Sequence, residues 1–320
     1  MKNILITGAS GFIGSFLTEE ALRRNWNTWA GIRKTSSREY LQDRRIQFID
    51  LNFSDKETLL NQINDHVLRY GKWDYIVHNA GLTKCLNRND FEKVNYLFTK
   101  HFIEALQETD AIPEKFILMS SLSAHAESQT IYGNSKLKAE DFLMSLTNEF
   151  PYIILRPTGV YGPREKDYYL VLKTIKSGLD VAAGLDIQKL TFVYVKDLVR
   201  VAFLALTSPL SSKAYAVGDG NVYTDDQYTQ IAKEVLGKKR VLKIRVPLPL
   251  LRFISALLED LSKITKKPST LNRDKYKIMA QRDWSCDISE LQKDLGFEPE
   301  YDLRKGLKES VEWYKANLWL

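Results

Sequence analysis

Tyr132-Gly133-Asn134-Ser135-Lys136 places a lysine four residues after a tyrosine. On a helix the two side chains sit one turn apart on the same face. An ammonium beside a phenol favours the phenolate, lowering a pKa that starts near ~10. A phenol tuned in this way can exchange a proton with an alcohol or a carbonyl near neutral pH.

A second set of residues suits phosphate. Gly8-Ala9-Ser10-Gly11-Phe12-Ile13-Gly14 follows the first β-branched run directly and opens the first helical stretch. Gly8 permits a tight turn, Gly11 lets backbone approach a pyrophosphate, and Gly14 allows close helix-to-strand packing. The helix N-terminus then offers unpaired N–H groups to an anion. This context predicts dinucleotide binding at Gly8, Ser10, Gly11, Phe12, Ile13 and Gly14. No acid lies between Glu20 and Glu39 to bind an adenosine ribose. Arg33 and Lys34 stand there instead, followed by Thr35, Ser36 and Ser37, a set suited to a 2′-phosphate. NADP is therefore favoured over NAD.

The elements that must hold these groups alternate. Strands are predicted over Lys2–Thr7, Thr28–Ile32, Ile46–Asp50, Tyr75–His78, Phe116–Ser120 and Tyr152–Arg156. Helices are predicted over Gly14–Arg24, Lys56–Tyr70, Asp90–Leu106 and Tyr132–Thr147. Such alternation implies an α/β fold with a doubly wound parallel sheet. Residues 1–160 form the dinucleotide-binding domain, completed by elements from about 190–206, and residues 161–320 mainly a smaller, interleaved lobe. In that lobe helices are predicted over Tyr168–Lys176 and Leu303–Lys315, a strand-to-helix step over Leu190–Leu206, and strands around Ala214–Val217 and Val241–Ile244. Leu250, Ile254, Leu257, Leu258 and Leu261 recur at helical spacing within Leu248–Leu261, a core or interface helix.

The 320 residues carry 46 Lys and Arg against 40 Asp and Glu, a net charge of +6. The cations are dispersed, denser only at Lys238–Arg245 and Lys263–Lys267, with no nucleic-acid module. Arg252, Glu259 and Asp260 interrupt the most apolar stretch, so no membrane span is expected. Cys85 and Cys286 are the only cysteines, and with four scattered histidines they build no metal site. Their scarcity, with no signal peptide, fits a reducing cytoplasm.

The glycine loop followed by the Tyr132–Lys136 motif resembles the short-chain dehydrogenase/reductase superfamily, in its extended epimerase/dehydratase branch, over nearly the whole chain. Asp50-Leu51 resembles the family's adenine-contacting pair, and His78-Asn79-Ala80-Gly81 the motif flanking the cofactor. Val94-Asn95-Tyr96 with Thr99 is similar to the Val-Asn-x-x-x-Thr helix, and Met119-Ser120-Ser121 to the strand end bearing the catalytic hydroxyl. Leu155 to Pro163 is similar to the loop beside the nicotinamide, which brings in Pro157 and Val160. Phe192 to Leu198 resembles the Phe-x-His-Val-x-Asp-Val segment, with Tyr194 where His is usual, and Leu295 to Tyr314 looks like the closing helix of sugar-nucleotide epimerases.

The resemblance implies a Rossmann-type fold with a C-terminal substrate-binding lobe. It makes Tyr132 the acid/base, Lys136 the group that tunes it and holds the nicotinamide ribose, and Ser121 the hydrogen-bond partner of the substrate oxygen. Strand alternation lets only one of Ser120 and Ser121 reach the site, and alignment with the family selects Ser121. Asn95 either orders a water near Lys136 or makes a buried bond between helices. Thr83, Lys84, Ser123 and Arg164 are candidate substrate contacts. Dehydratases of this branch carry an Asp-Glu pair where Leu122 and Ser123 stand, which disfavours water elimination. The expected reaction is hydride transfer at a carbinol or carbonyl carbon, of a nucleotide-sugar first. The alternatives are NADPH-dependent reduction of a sterol- or flavonoid-like substrate and a non-catalytic NADP-binding redox sensor. A homodimer is expected through helices 90–106 and 132–147, with Phe91, Leu97, Phe98, Phe102, Ile103, Leu137, Phe142 and Leu143 as the apolar residues.

Overall fold

The computed structural model describes residues 1–146, 150–265, 269 and 271–320. Its first elements are β1 (Asn3–Thr7), α1 (Phe12–Arg23), β2 (Asn27–Gly31), β3 (Gln47–Ile49), α2 (Lys56–Tyr70), β4 (Tyr75–His78) and α3 (Asn89–Glu92). A π-helical turn, Lys93–Leu97, leads into α4 (Phe98–Glu108), then β5 (Lys115–Met119), a 3-10 turn at Leu122–His125, α5 (Ile131–Ser145) and β6 (Tyr152–Pro157). There follow β7 (Gly159–Tyr161), α6 (Asp167–Lys176), β8 (Leu179–Ala183), β9 (Lys189–Leu190), β10 (Phe192–Tyr194), α7 (Val195–Thr207) and β11 (Lys213–Val217). The chain closes with β12 (Tyr223–Thr224), α8 (Asp225–Val235), β13 (Leu242–Val246), α9 (Leu248–Thr265), α10 (Arg273–Ala280), α11 (Ser289–Leu295) and α12 (Leu303–Ala316).

Two compact units result. One holds Met1–Ala124, Ile131–Arg156 and Val199–Tyr215, the other His125–Thr130, Pro157–Leu198 and Ala216–Leu320. The division falls at Arg156, inside α7 and inside β11.

The seven-stranded sheet runs β11-β6-β5-β4-β1-β2-β3. Its β6-β5-β4-β1-β2-β3 pairs are parallel. Ile4, Leu5, Ile6, Ile76, Val77, Phe116, Ile117, Ile153 and Ile154 are fully buried. That continuous burial is what a parallel sheet covered on both faces requires of its strands. Leu59 and Ile63 of α2, Phe102 and Leu106 of α4 and Leu143 of α5 share one core with Leu5, Ile76 and Phe116.

The helix expected over Asp90–Leu106 is interrupted by the π turn, a wide turn common at functional sites. The helix expected to reach Thr147 ends at Ser145, and Thr147 lies outside the described residues. In the second unit Tyr161, Phe192, Tyr194, Tyr228 and Tyr314 pack with Leu303, Leu307 and Val311. Tyr194, at the position where histidine is usual, is fully buried against Tyr301 with ring centroids 4.3 Å apart. Asp197 accepts from the backbone N–H of Tyr301 at 2.9 Å and Glu300 at 3.1 Å, tying the start of α7 to the segment before α12.

Candidate active site

The turn after β1 is built to the pattern its glycines suggested. Gly8 has φ +65°, and its N–H donates to Gly31 O at 3.0 Å. A Cβ at Gly14 would lie 2.1 Å from Gly8 O, so no larger residue fits without moving the loop. Gly11 caps α1 with no side-chain acceptor, and the first turn carries no acid. Amide donors and the positive end of a 12-residue helix therefore suit an anion there. The pyrophosphate of a dinucleotide fits this cradle.

At the end of β2, Arg33 and Lys34 are exposed, and Asp50 accepts from the Lys34 N–H at 3.1 Å. Leu51 beside it is buried. After β4, the chain bearing Asn79, Ala80 and Gly81 is fixed from below. Thr7 Oγ1 accepts from the Ala80 N–H at 3.1 Å and lies 3.0 Å from His78 Nδ1. His78 Nε2 lies 3.1 Å from Thr99 Oγ1. Burial, helped by the charge of Lys136, pushes His78 down to about 3, so the ring is neutral.

The π turn carries Asn95. Its Oδ1 accepts from Leu82 N–H at 2.7 Å, and its Nδ2 donates to Leu82 O at 3.0 Å and to Ser135 Oγ at 2.9 Å. Ser135 Oγ in turn donates to Tyr132 O at 2.7 Å. The Asn95 side chain thus makes a bond between helices. It locks the catalytic-motif helix to the loop after β4.

Ser120 and Ser121 part company at the end of β5. Ser120 Oγ, buried, donates to Glu140, whose carboxylate is fully buried and also accepts from Arg156 Nε at 2.9 Å and Nη2 at 2.6 Å. Ser121 hydrogen-bonds the Tyr132 phenol and accepts from Ser123 N–H at 3.1 Å. Alternation along the strand separates the two hydroxyls as expected.

Lys136 is buried, and its Nζ donates to Met119 O at 2.9 Å. A Cβ placed on Gly81 would lie 3.1 Å from this Nζ, so the ammonium sits beside the loop after β4. Burial pushes Lys136 down to about 8, with Glu140 one turn on pulling the other way. Burial also raises the Tyr132 phenol above its ordinary value, and the Ser121 hydrogen bond opposes that rise. The direction is the reverse of the lowering that the Tyr-Lys spacing alone suggested. Desolvation of the phenol outweighs its stabilisation here, and Lys136 directs its donor to Met119 O.

Thr83 is exposed and Lys84 and Ser123 are half-buried in the first unit's loops. Pro157, Val160 and Arg164 belong to the second unit, Pro157 buried and Arg164 at φ +73°. The Ser120–Glu140–Arg156 network and the Ser135 relay were not picked out from the sequence. Glu140, four residues after Lys136 on the same helix face, was the signal for the first.

The profile of the NAD dependent epimerase/dehydratase family matches residues 4–218. The chain belongs to this family. It is an NAD(P)-dependent enzyme of the extended short-chain dehydrogenase/reductase type. Among curated proteins it is 24% identical to ceramide reductase of Caulobacter vibrioides, over 99% of this chain and 96% of that one. It is 23% identical to sterol-4-alpha-carboxylate 3-dehydrogenase (decarboxylating) of Candida albicans, over 99% of each. Among solved structures it is similar to UDP-glucose 4-epimerase with UDP-glucose from Thermotoga maritima, with TM-score 0.77 and 21% identity over 99% of each chain.

Proposed function

We propose that this family member is an NAD(P)-dependent oxidoreductase that works on an apolar alcohol or ketone, with net transfer of hydride in each turnover. The observation that carries the chemistry is the arrangement at the end of β5. Ser121 is hydrogen-bonded to Tyr132, with Lys136 buried on the same helix face and held at Met119 O. Bound NAD(P) supplies or accepts the hydride. Gly8, Ser10, Gly11, Phe12, Ile13 and Gly14 hold the pyrophosphate, and Asp50, Leu51, Asn79, Ala80 and Gly81 of the same unit line the cofactor's remaining length. Arg33 and Lys34 favour the 2′-phosphate of NADP, while Lys136 holds the nicotinamide ribose. Ser121 binds the substrate oxygen as charge develops there, and Tyr132 gives or takes the proton at that oxygen. With Leu122 and Ser123 in the 3-10 turn, no carboxylate follows Ser121 to drive dehydration.

The apolar substrate is supported by the ceramide and sterol relatives and by the engagement of four cations of the second unit. Arg245 pairs with Asp225 at 2.9 Å and Asp226 at 3.0 Å, Arg273 with Asp260 at 2.9 Å, and Lys243 with Asp226 at 2.7 Å. Arg282 donates to Ala183 O at 2.7 Å and to Met279 O. A nucleoside diphosphate calls for guanidinium groups not already committed. The likeness to an epimerase holding UDP-glucose supports a second reading, in which a nucleotide-sugar is oxidised and re-reduced at one carbon. We place the enzyme in the cytoplasm as a homodimer through α4 and α5. Phe91, Phe102, Ile103 and Leu143 are buried in the chain's own core, leaving Leu97, Phe98, Leu137 and Phe142 for the contact.

Incubating the purified protein with NADH or NADPH and either long-chain and polycyclic ketones or UDP-sugars separates the readings. NADPH consumption with a ketone is expected. Epimerised UDP-sugar without net cofactor consumption would establish the second reading instead.

A further inference from the structure

Three residues of α5, each one turn from the next, close on three successive residues at the end of β5. Tyr132 is bonded to Ser121, Lys136 Nζ donates to Met119 O at 2.9 Å, and Glu140 accepts from Ser120 Oγ. The first two belong to the reaction proposed above, whereas Glu140 has no part assigned in it. Glu140 is fully buried and Lys136 nearly so. On a helix, side chains four residues apart spring from Cβ atoms about 6 Å from each other.

Two cations depend on this one carboxylate. Arg156, on β6, reaches it with Nε at 2.9 Å and Nη2 at 2.6 Å. Lys136 feels the same charge from one turn away. The other titratable groups around the ammonium carry no charge to replace it. His78, at the end of β4, is neutral, and the Tyr132 phenol is raised above its ordinary value. An ammonium taken out of water is costly unless an anion compensates it. Of the two cations, the guanidinium keeps its proton, whereas the amine can give its proton up. Loss of the carboxylate therefore falls on the charge of Lys136.

We propose that Glu140 is a positioning residue of the reaction, the buried counter-charge that keeps Lys136 an ammonium against the nicotinamide ribose. It takes no proton and touches no substrate. Ser120 shares the carboxylate but brings no charge, and has no such role. The inference rests on the assignment of Lys136 to the ribose made above.

NADPH binding to the full-length chain, followed by cofactor fluorescence from about pH 6 to about pH 9.5, tests it without need of a substrate. Lys136 loses its proton near its depressed value of about 8, so parental affinity should fall about tenfold across that point. Glu140→Gln should move the fall about one unit towards acid, and Arg156→Gln should move it the other way by removing a competing cation. Ser120→Ala should leave it in place. A role in packing alone would not shift the fall in opposite directions for the two partners of one ion pair. Arg156→Gln carries the test if far-UV circular dichroism shows that Glu140→Gln does not fold. Lys136→Met should abolish the fall. A fall absent from the parent, or surviving in Lys136→Met, would contradict the ribose assignment and overturn the inference with it. A fall abolished in Lys136→Met but left in place by Glu140→Gln and Arg156→Gln would overturn the inference alone.

Discussion

The strand end Met119–Ser121 and helix α9 place polar and apolar groups in opposite ways. At the strand end a carboxylate, two hydroxyls, a guanidinium and an ammonium are drawn inward, each with a partner. On α9 the large apolar side chains face out. In the first region the inner hydroxyl, Ser120, holds architecture together, while the outer one, Ser121, is left facing Tyr132. The cost of burying charge there is met by a paired network, so the proposed reactive pair is held by neighbours with no part in the proposed chemistry. In the second region no internal partner covers these side chains among the described residues.

Substitutions can break this contrast, beginning with the two serines. Ser121→Ala should lower kcat by about 10²–10³, the cost of removing one hydrogen bond to a developing oxyanion. Ser120→Ala should leave kcat within a few-fold and show its effect in stability. Equal losses of kcat from both would merge the two sides of the strand. Glu140→Gln should lower unfolding free energy by roughly 3 kcal/mol in urea titrations, since it leaves Arg156 without its buried counter-charge.

Acid should act through the layer beneath the site. His78 titrates near 6.5 when unfolded and is pushed down to about 3 when folded, so the unfolded chain binds the extra proton between those values. Stability present above pH 6.5 is therefore lost as pH falls towards 3, at about 1.4 kcal/mol per unit from this group. His78→Asn should flatten that slope in urea titrations at stepped pH. The smallest effect belongs to α9. Phe253→Ser should change unfolding free energy by less than about 0.5 kcal/mol in urea titrations, since the side chain has little to leave.

The same contrast explains what the sequence disclosed. The glycine loop, the parallel strands and the Tyr132–Lys136 helix were legible because local spacing alone specifies each of them. The π turn at Lys93–Leu97 was not, because a wide turn leaves the apolar pattern of Phe91, Phe102 and Ile103 intact. The Ser120–Glu140–Arg156 network joins three elements, and no periodicity reports such a meeting. Helix α8 was missed although Thr224 and Gln227 form a capping box at its start. For Tyr132 the spacing misjudged the direction of the pKa, because pair distance carries no information about burial.

The central claim is that Tyr132 exchanges the substrate proton while the rest of the site holds cofactor. Tyr132→Phe, assayed by turnover together with NADPH fluorescence on binding, tests it most directly. The account predicts turnover reduced by about 10²–10⁴ with cofactor affinity within a few-fold of the parent. Turnover left at the parental rate would contradict it.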